Sequence, residues 1–292
     1  MTPCTYTDNF NSISAAIAWD MIIIRGLYQS SWQGINLNFK MAKKRKTIKS
    51  STIPNAKAFY ERGMDLYLDE NNYVAGLKFL NRAAKAGYKP AYGEIGIILY
   101  REKNEIEKAE KWFKKAEKVN SLGPVATYEY GMLFYLEKED WETGLKYLLR
   151  SANNGCELAY GDIGSILYLE KDEIDEAVGW FKKAEKANCL LAPAAYYYGL
   201  ILNLEKKENH QSLKYLRKAA IEGFDLAYGE LGSVLYQDKI DIDEAVRWFE
   251  KAEDAGCLLA PHAYEYGMLL IEEKGDSERG SRYIEMAEKD GY

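Results

Sequence analysis

The chain has 292 residues, is 47% hydrophobic and 29% charged, and carries a formal net charge of −6. This composition belongs to a folded chain rather than a disordered one, and the acidic balance argues against a general nucleic-acid binder. Only six prolines, among many Ala, Leu, Glu and Lys residues, predict an all-helical protein.

In chain order, residues 1–55 read as an N-terminal extension with no fold of its own. Its apolar patch, Ile13 to Ile24, is interrupted by Asp20 and has no basic residue before it. It therefore fits neither a signal peptide nor a membrane span of about 20 apolar residues. Met41 opens "MAKKRKTIKS", which predicts a second possible start and a basic tail. Such a tail could meet an acidic surface, including that of a second copy, giving self-association.

From residue 56 to 292 a 68-residue period dominates. It is held by Trp112, Trp180 and Trp248, by Gly63, Gly131, Gly199 and Gly267, and by Tyr60, Tyr128, Tyr196 and Tyr264. Each period contains two related halves, and each half reads as helix, short polar break, helix. The second helix of one half shows Ala177, Trp180, Phe181 and Ala184 at steps of three and four, with Asp175 and Glu176 suited to its start. Seven helix pairs are predicted, starting near residues 56, 91, 125, 159, 194, 227 and 262. One pair cannot bury its apolar face alone, so the expected architecture is an α-solenoid with a continuous core. Trp180→Ala is expected to cost about 3–5 kcal/mol as a core truncation.

Two glycines recur in "AYGEIGIILY", "AYGDIGSILY" and "AYGELGSVLY". One, at Gly96, Gly164 and Gly232, shares its place with Gly63, Gly131, Gly199 and Gly267, and reads as a packing glycine between the helices of a pair. The other, Gly93, Gly161 and Gly229, alternates with the four tyrosines of the 68-residue series and reads as a gap along a binding surface.

Little in the sequence points to catalysis. The two histidines, His210 and His262, read as solvated surface imidazoles, and no nucleophile, phosphate-loop or metalloprotease motif appears. Cys4, Cys156, Cys189 and Cys257 form no CxxC pair, so neither a zinc site nor any cofactor is expected. Reduced thiols and a cytoplasmic setting are expected.

"AAKAGYKPAYGEIG" (83–96), "SANNGCELAYGDIG" (151–164) and "AAIEGFDLAYGELG" (219–232) carry an alanine pair, or Ser-Ala, then a glycine, then an alanine and a Leu-Gly or Ile-Gly pair. This resembles the junction motif of the Sel-one-like repeat family, within the tetratricopeptide-like superfamily, over about residues 56–292. "EAVGWFKKAEK" and "EAVRWFEKAED" resemble its second-helix signature. The usual Gly-x-Gly loop is missing, and the alternate junctions are one residue longer. The resemblance implies a right-handed superhelix whose first helices line a concave groove, and a role as a non-enzymatic protein-interaction scaffold. Some cysteine-rich members are linked to β-lactam binding or hydrolysis, but the disulfide within each repeat on which they depend has no counterpart here. A secreted effector acting on host proteins is the other alternative.

On that analogy the groove residues are Tyr60, Met64, Tyr100, Tyr128, Met132, Tyr135, Tyr168, Tyr196, Tyr236, Tyr264 and Met268, which share one helical stripe, together with Glu129 at its edge. Glu61, Glu94, Asp162, Glu230 and Glu265 flank it. Two readings stand. The tyrosines are partly buried between neighbouring first helices, or they form a surface for a peptide or protein segment with Lys or Arg near aromatic or aliphatic anchors.

Overall fold

The computed structural model describes residues 54–292, so the expectations for the extension, for Met41 and for the basic run lie outside the described residues. Among the described residues fourteen α-helices form seven antiparallel pairs. The first three pairs are α1 (Pro54–Leu68) with α2 (Tyr73–Lys85), α3 (Ala91–Arg101) with α4 (Ile106–Lys118), and α5 (Pro124–Lys138) with α6 (Trp141–Asn153). Then come α7 (Ala159–Lys171) and α8 (Ile174–Lys186), followed by α9 (Ala192–Leu200) and α10 (Asn209–Ile221). The last pairs are α11 (Leu226–Gln237) with α12 (Ile242–Asp254) and α13 (Ala260–Glu272) with α14 (Ser277–Lys289). The helix starts agree with the sequence reading to within two residues. The described residues divide into two compact units within α7, one ending at Ile166 and the other starting at Leu167.

Every turn is closed by a residue in the left-handed region. Between the helices of a pair these are Asn71, Asn104, Glu139, Asp172, Lys207, Lys239 and Gly275. Between pairs they are Gly87, Asn120, Gly155, Asn188, Gly223 and Gly256. Such a residue ends a helix and satisfies its last carbonyls, at little cost for Gly or Asn and more for Glu or Lys. Four second helices are also fixed at their start by a side-chain cap: Asn72, Asp140, Asp241 and Asp276 each accept from the backbone N–H three residues on, at 2.8–3.1 Å.

The shared glycine is a close-approach position within the pair. A methyl on Gly96 would lie 2.6 Å from the Phe113 ring, and one on Gly232 would lie 2.9 Å from Phe249. In the alternate pairs glycine meets glycine: Gly63 faces Gly76, Gly131 faces Gly144 and Gly267 faces Gly280. In the fifth pair Ser212 takes the second glycine's place, and α9 widens there into a π-helical turn, Ile201–Glu205. Residues opposite the second glycine elsewhere are Tyr67, Tyr135 and Ile271, whereas the fifth pair has the smaller Asn203. A larger residue on one helix is thus matched by a smaller one on the other.

Pair is joined to pair by a repeated aromatic triad. Phe113, Tyr130 and Tyr147 stack in sequence, with ring centroids 5.2 and 4.7 Å apart. Phe181, Tyr198 and Tyr215 do the same at 5.4 and 4.3 Å, and Phe249, Tyr266 and Tyr283 at 5.3 and 4.6 Å. The three phenylalanines are fully buried. The tryptophans one residue before them are only half-buried, and Lys115, Lys183 and Lys251 sit over their rings at 4.6, 3.6 and 4.8 Å. The large truncation cost expected at Trp180 therefore belongs to Phe181.

Candidate functional site

The stripe residues lie on the first helices, and the neighbouring pair decides how much of each is exposed. In the unit ending at Ile166, Met64, Tyr100, Tyr128, Glu129, Met132 and Tyr135 are buried and Tyr60 is half-buried. In the unit starting at Leu167, Tyr168 and Tyr196 are buried, while Tyr236, Tyr264 and Met268 are half-buried.

The four tyrosines of the 68-residue series pack towards the turn that ends their own pair. Tyr60 lies 5.0 Å from Tyr88, Tyr196 5.0 Å from Phe224 and Tyr264 5.3 Å from Tyr292, by ring centroids. For Tyr128 the corresponding residue is the buried Cys156. Tyrosine hydroxyls also reach the next pair: Tyr128 donates to Asp162 at 2.8 Å, and Tyr60 to Glu94 at 3.5 Å. Two turns further on, Tyr67 donates to Glu102 at 3.0 Å, and Tyr236 to Glu272 at 2.9 Å.

The carboxylates flanking the stripe belong to the same inter-repeat ladder. Arg101, five residues after one shared glycine, ion-pairs with Glu129, two residues before the next. Gln237 and Glu265 occupy the same two places in the later unit and bond at 2.6 Å. Glu129 is 0% exposed, and its second carboxylate oxygen has no hydrogen-bond partner among the described residues. Burial pushes its pKa upward against the pull of Arg101. Arg101 is held above the ordinary arginine value, because the attraction of Glu129 outweighs the burial that opposes it.

Sequence reasoning missed His262. It is buried, not solvated, because it stands where the 68-residue series otherwise has Ala58, Ala126 and Ala194, at the crossing of α13 with α11. Its Nε2 lies 3.2 Å from Glu230, and its Nδ1 has no partner among the described residues. Burial works against the charged imidazole, but Glu230, with Glu265 behind it, holds the pKa above the ordinary histidine value. The 68-residue alignment itself carries the missed signal, since it puts histidine in an alanine place.

The same crossing corrects the reading of the alternating glycine. A methyl on Gly93 would lie 2.9 Å from the Ala126 Cβ, and one on Gly229 would collide with the His262 ring. The space over these glycines is filled by the following first helix and is not a gap along a surface.

The thiols serve helix ends. Cys257 Sγ lies 3.3 Å from the Asp225 carbonyl and 3.4 Å from that of Ala252, and Ser121 makes the equivalent pair of bonds to Lys89 and Ala116. Burial lifts the Cys257 pKa to about 11, which suppresses the nucleophilic thiolate. Among the described residues no group of three His, Cys, Asp or Glu could hold a metal ion, and no helix is long and apolar enough to cross a membrane.

A Sel1 repeat model matches residues 56–88, 94–118, 120–156, 158–189, 185–224 and 225–257. The chain belongs to the Sel1 repeat family. The seventh pair, α13 with α14, lies beyond the last match but keeps the pattern of α5 with α6. Among solved structures, the chain is similar to a Sel1 repeat protein from Oxalobacter formigenes, at 22% identity and a TM-score of 0.54, over 79% of this chain and 99% of that one. It is also similar to c5321, a protective antigen of uropathogenic Escherichia coli strains displaying an SLR fold, at 19% identity and a TM-score of 0.60. That match covers 80% of this chain and 53% of that one. A third is YrrB, a TPR protein with an unusual peptide-binding site, at 21% identity and a TM-score of 0.50, over 61% of this chain and 92% of that one. No curated relative matches by sequence. These similarities establish the fold of a Sel1/TPR-type helical-repeat solenoid, a class whose members generally act as protein-interaction scaffolds.

Proposed function

We propose that this Sel1 repeat chain is a non-enzymatic scaffold that holds a peptide or protein segment along its first-helix face. What supports this reading is the half-buried tyrosines of that face, Tyr60, Tyr236 and Tyr264, with carboxylates beside them. Hydroxyls of half-buried rings are held by the next repeat, as in Tyr60 with Glu94 and Tyr236 with Glu272, so these rings are oriented before any partner arrives. A row set in advance loses little entropy on binding, and tyrosine supplies a large contact area. The flanking carboxylates Glu61, Glu94, Glu230 and Glu265 are exposed or half-buried, which favours a segment carrying Lys or Arg beside aromatic or aliphatic anchors. The peptide-binding site of the similar TPR protein YrrB is in keeping with such a role.

The test is selection of peptides from a random library on the immobilised full chain. Enriched sequences are expected to pair a basic residue with an aromatic or aliphatic one. Tyr60→Ser and Tyr264→Ser, at half-buried positions, are expected to weaken those peptides about tenfold with helicity unchanged. Selected peptides that bind both variants as well as the parent would sink the proposal.

A further inference from the structure

The joint between pairs is built three times from one recipe. In α6, Tyr147 donates to both Glu117 oxygens on α4, at 2.9 and 3.1 Å, and Arg150 adds a bond at 2.8 Å. In α10, Tyr215 and Lys214 grip Glu185 of α8 at 2.9 and 2.5 Å. In α14, Tyr283 donates to Glu253 of α12 at 2.7 Å. Each gripped glutamate lies four residues after a fully buried phenylalanine, so one helix face presents the ring and the carboxylate together.

Helix α2 holds the gripping position in the first pair. Phe79, Arg82 and Lys78 stand where later pairs have Tyr147, Arg150 and Lys214. Among the described residues no helix precedes α1 to fill that face. A cavity of about 740 Å³ opens along this side of α2, lined by Val74, Leu77 and Phe79, by the cations Lys78, Arg82 and Lys85, and at one edge by Lys103 of the α3–α4 turn. Val74 is 52% exposed. The Arg82 guanidinium lies 5.5 Å from the Phe79 ring centroid, and all three cations are exposed. Among the described residues none of the three enters an ion pair. The chain is acidic overall, so a cationic rim around an apolar floor is a local exception.

We propose that this face docks a helix of a partner protein that presents a large apolar residue and, four residues later, a glutamate. Such a helix would reproduce what α4, α8 and α12 offer to the pairs that follow them. The chain itself is a poor source. Residues 1–53 contain no glutamate and only two aspartates, Asp8 and Asp20, and their basic run 43–46 has the same sign as the rim. The ring–carboxylate sets of α4, α8 and α12 in a second copy are already engaged in their own joints.

The probe is a fluorescent, helix-stapled peptide with the sequence of residues 106–118, titrated into the full chain and followed by anisotropy. Saturable binding is expected. Glu117→Lys in the peptide should weaken it at least tenfold, as should Arg82→Glu in the protein, an exposed change whose effect on folding is checked by circular dichroism. Combining the two changes should restore most of the affinity, and Lys78→Glu should act in the same direction as Arg82→Glu. Absence of saturable binding, or indifference to Glu117→Lys, overturns the proposal. Cross-links from Lys78 or Lys85 to residues 1–53 that exclude the peptide would overturn it in favour of the chain's own segment. A concentration-dependent dimer lost in Arg82→Glu would do so in favour of a second copy.

Discussion

The crossing of α3 with α5 and the crossing of α11 with α13 share one template, yet are held by different chemistry. At the first, Gly93 receives Ala126, and a permanent cation, Arg101, meets the buried Glu129. At the second, Gly229 receives His262, the cation's place is taken by the neutral Gln237, and the histidine turns to Glu230. A helical repeat therefore fixes backbone approach more strictly than it fixes charge. Glycine is kept at both crossings because a Cβ has nowhere to go, while the polar contacts beside it change kind.

The strongest way to break the comparison is to remove the two equivalent carboxylates. Glu129→Ala removes the carboxylate that pairs with a nearly buried arginine, and a loss of about 3–5 kcal/mol is expected in urea unfolding. Glu265→Ala removes a partner of the exposed Gln237 and the lesser of the two charges that face His262, and less than about 1 kcal/mol is expected. Equal losses would mean that Arg101 is not the distinguishing element. Next in size is Gly93→Ala, which drives two backbone-anchored methyls together and should cost about 1–3 kcal/mol, with faster hydrogen exchange in α3 and α5.

The histidine predicts a difference in pH response. Its pKa is raised in the folded chain, so its contribution is complete below the ordinary histidine value and is lost as pH rises through the raised value. The melting temperature of the parent is expected to fall between pH 6 and 9 by more than that of His262→Ala, which restores the template residue. With only two histidines in the chain, a proton NMR titration can assign the shift to His262 rather than His210. Identical pH profiles in parent and variant would remove the distinction between the crossings. The smallest effect is at the turns beside them, where the left-handed residue is Asn104 in one and Lys239 in the other. Lys239→Gly should stabilise the chain by about 0.5–1 kcal/mol, even with its exposed ion pair to Glu273 removed.

Most of the fold was legible in the sequence because a repeat shows its structure several times over. Seven helix starts, the packing glycine and the acidic first turn of α8 all follow from the 68-residue register. The stripe was legible as a face but not as a set of contacts. Spacing along a helix says which side chains share a side, and it does not say what the next pair places against them. The Tyr128–Asp162 and Arg101–Glu129 links join residues 34 and 28 positions apart, and only the stacking of pairs brings them together. The same limit explains Trp180, whose size suggested the core while its neighbour Phe181 fills it. It also explains Gly93, whose spacing suggests a gap although Ala126 lies over it.

The alternation of joints also sets how such a chain can grow or shrink. A ring-over-glycine pair offers the Phe and Glu that the following glycine-on-glycine pair grips, and two pairs of the same kind side by side would leave both sets unmatched. Duplication or loss of one pair, about 34 residues, would produce that mismatch, whereas a step of 68 would leave every seam as it was. For inheritance and engineering alike, the smallest copyable piece of this protein is two pairs long.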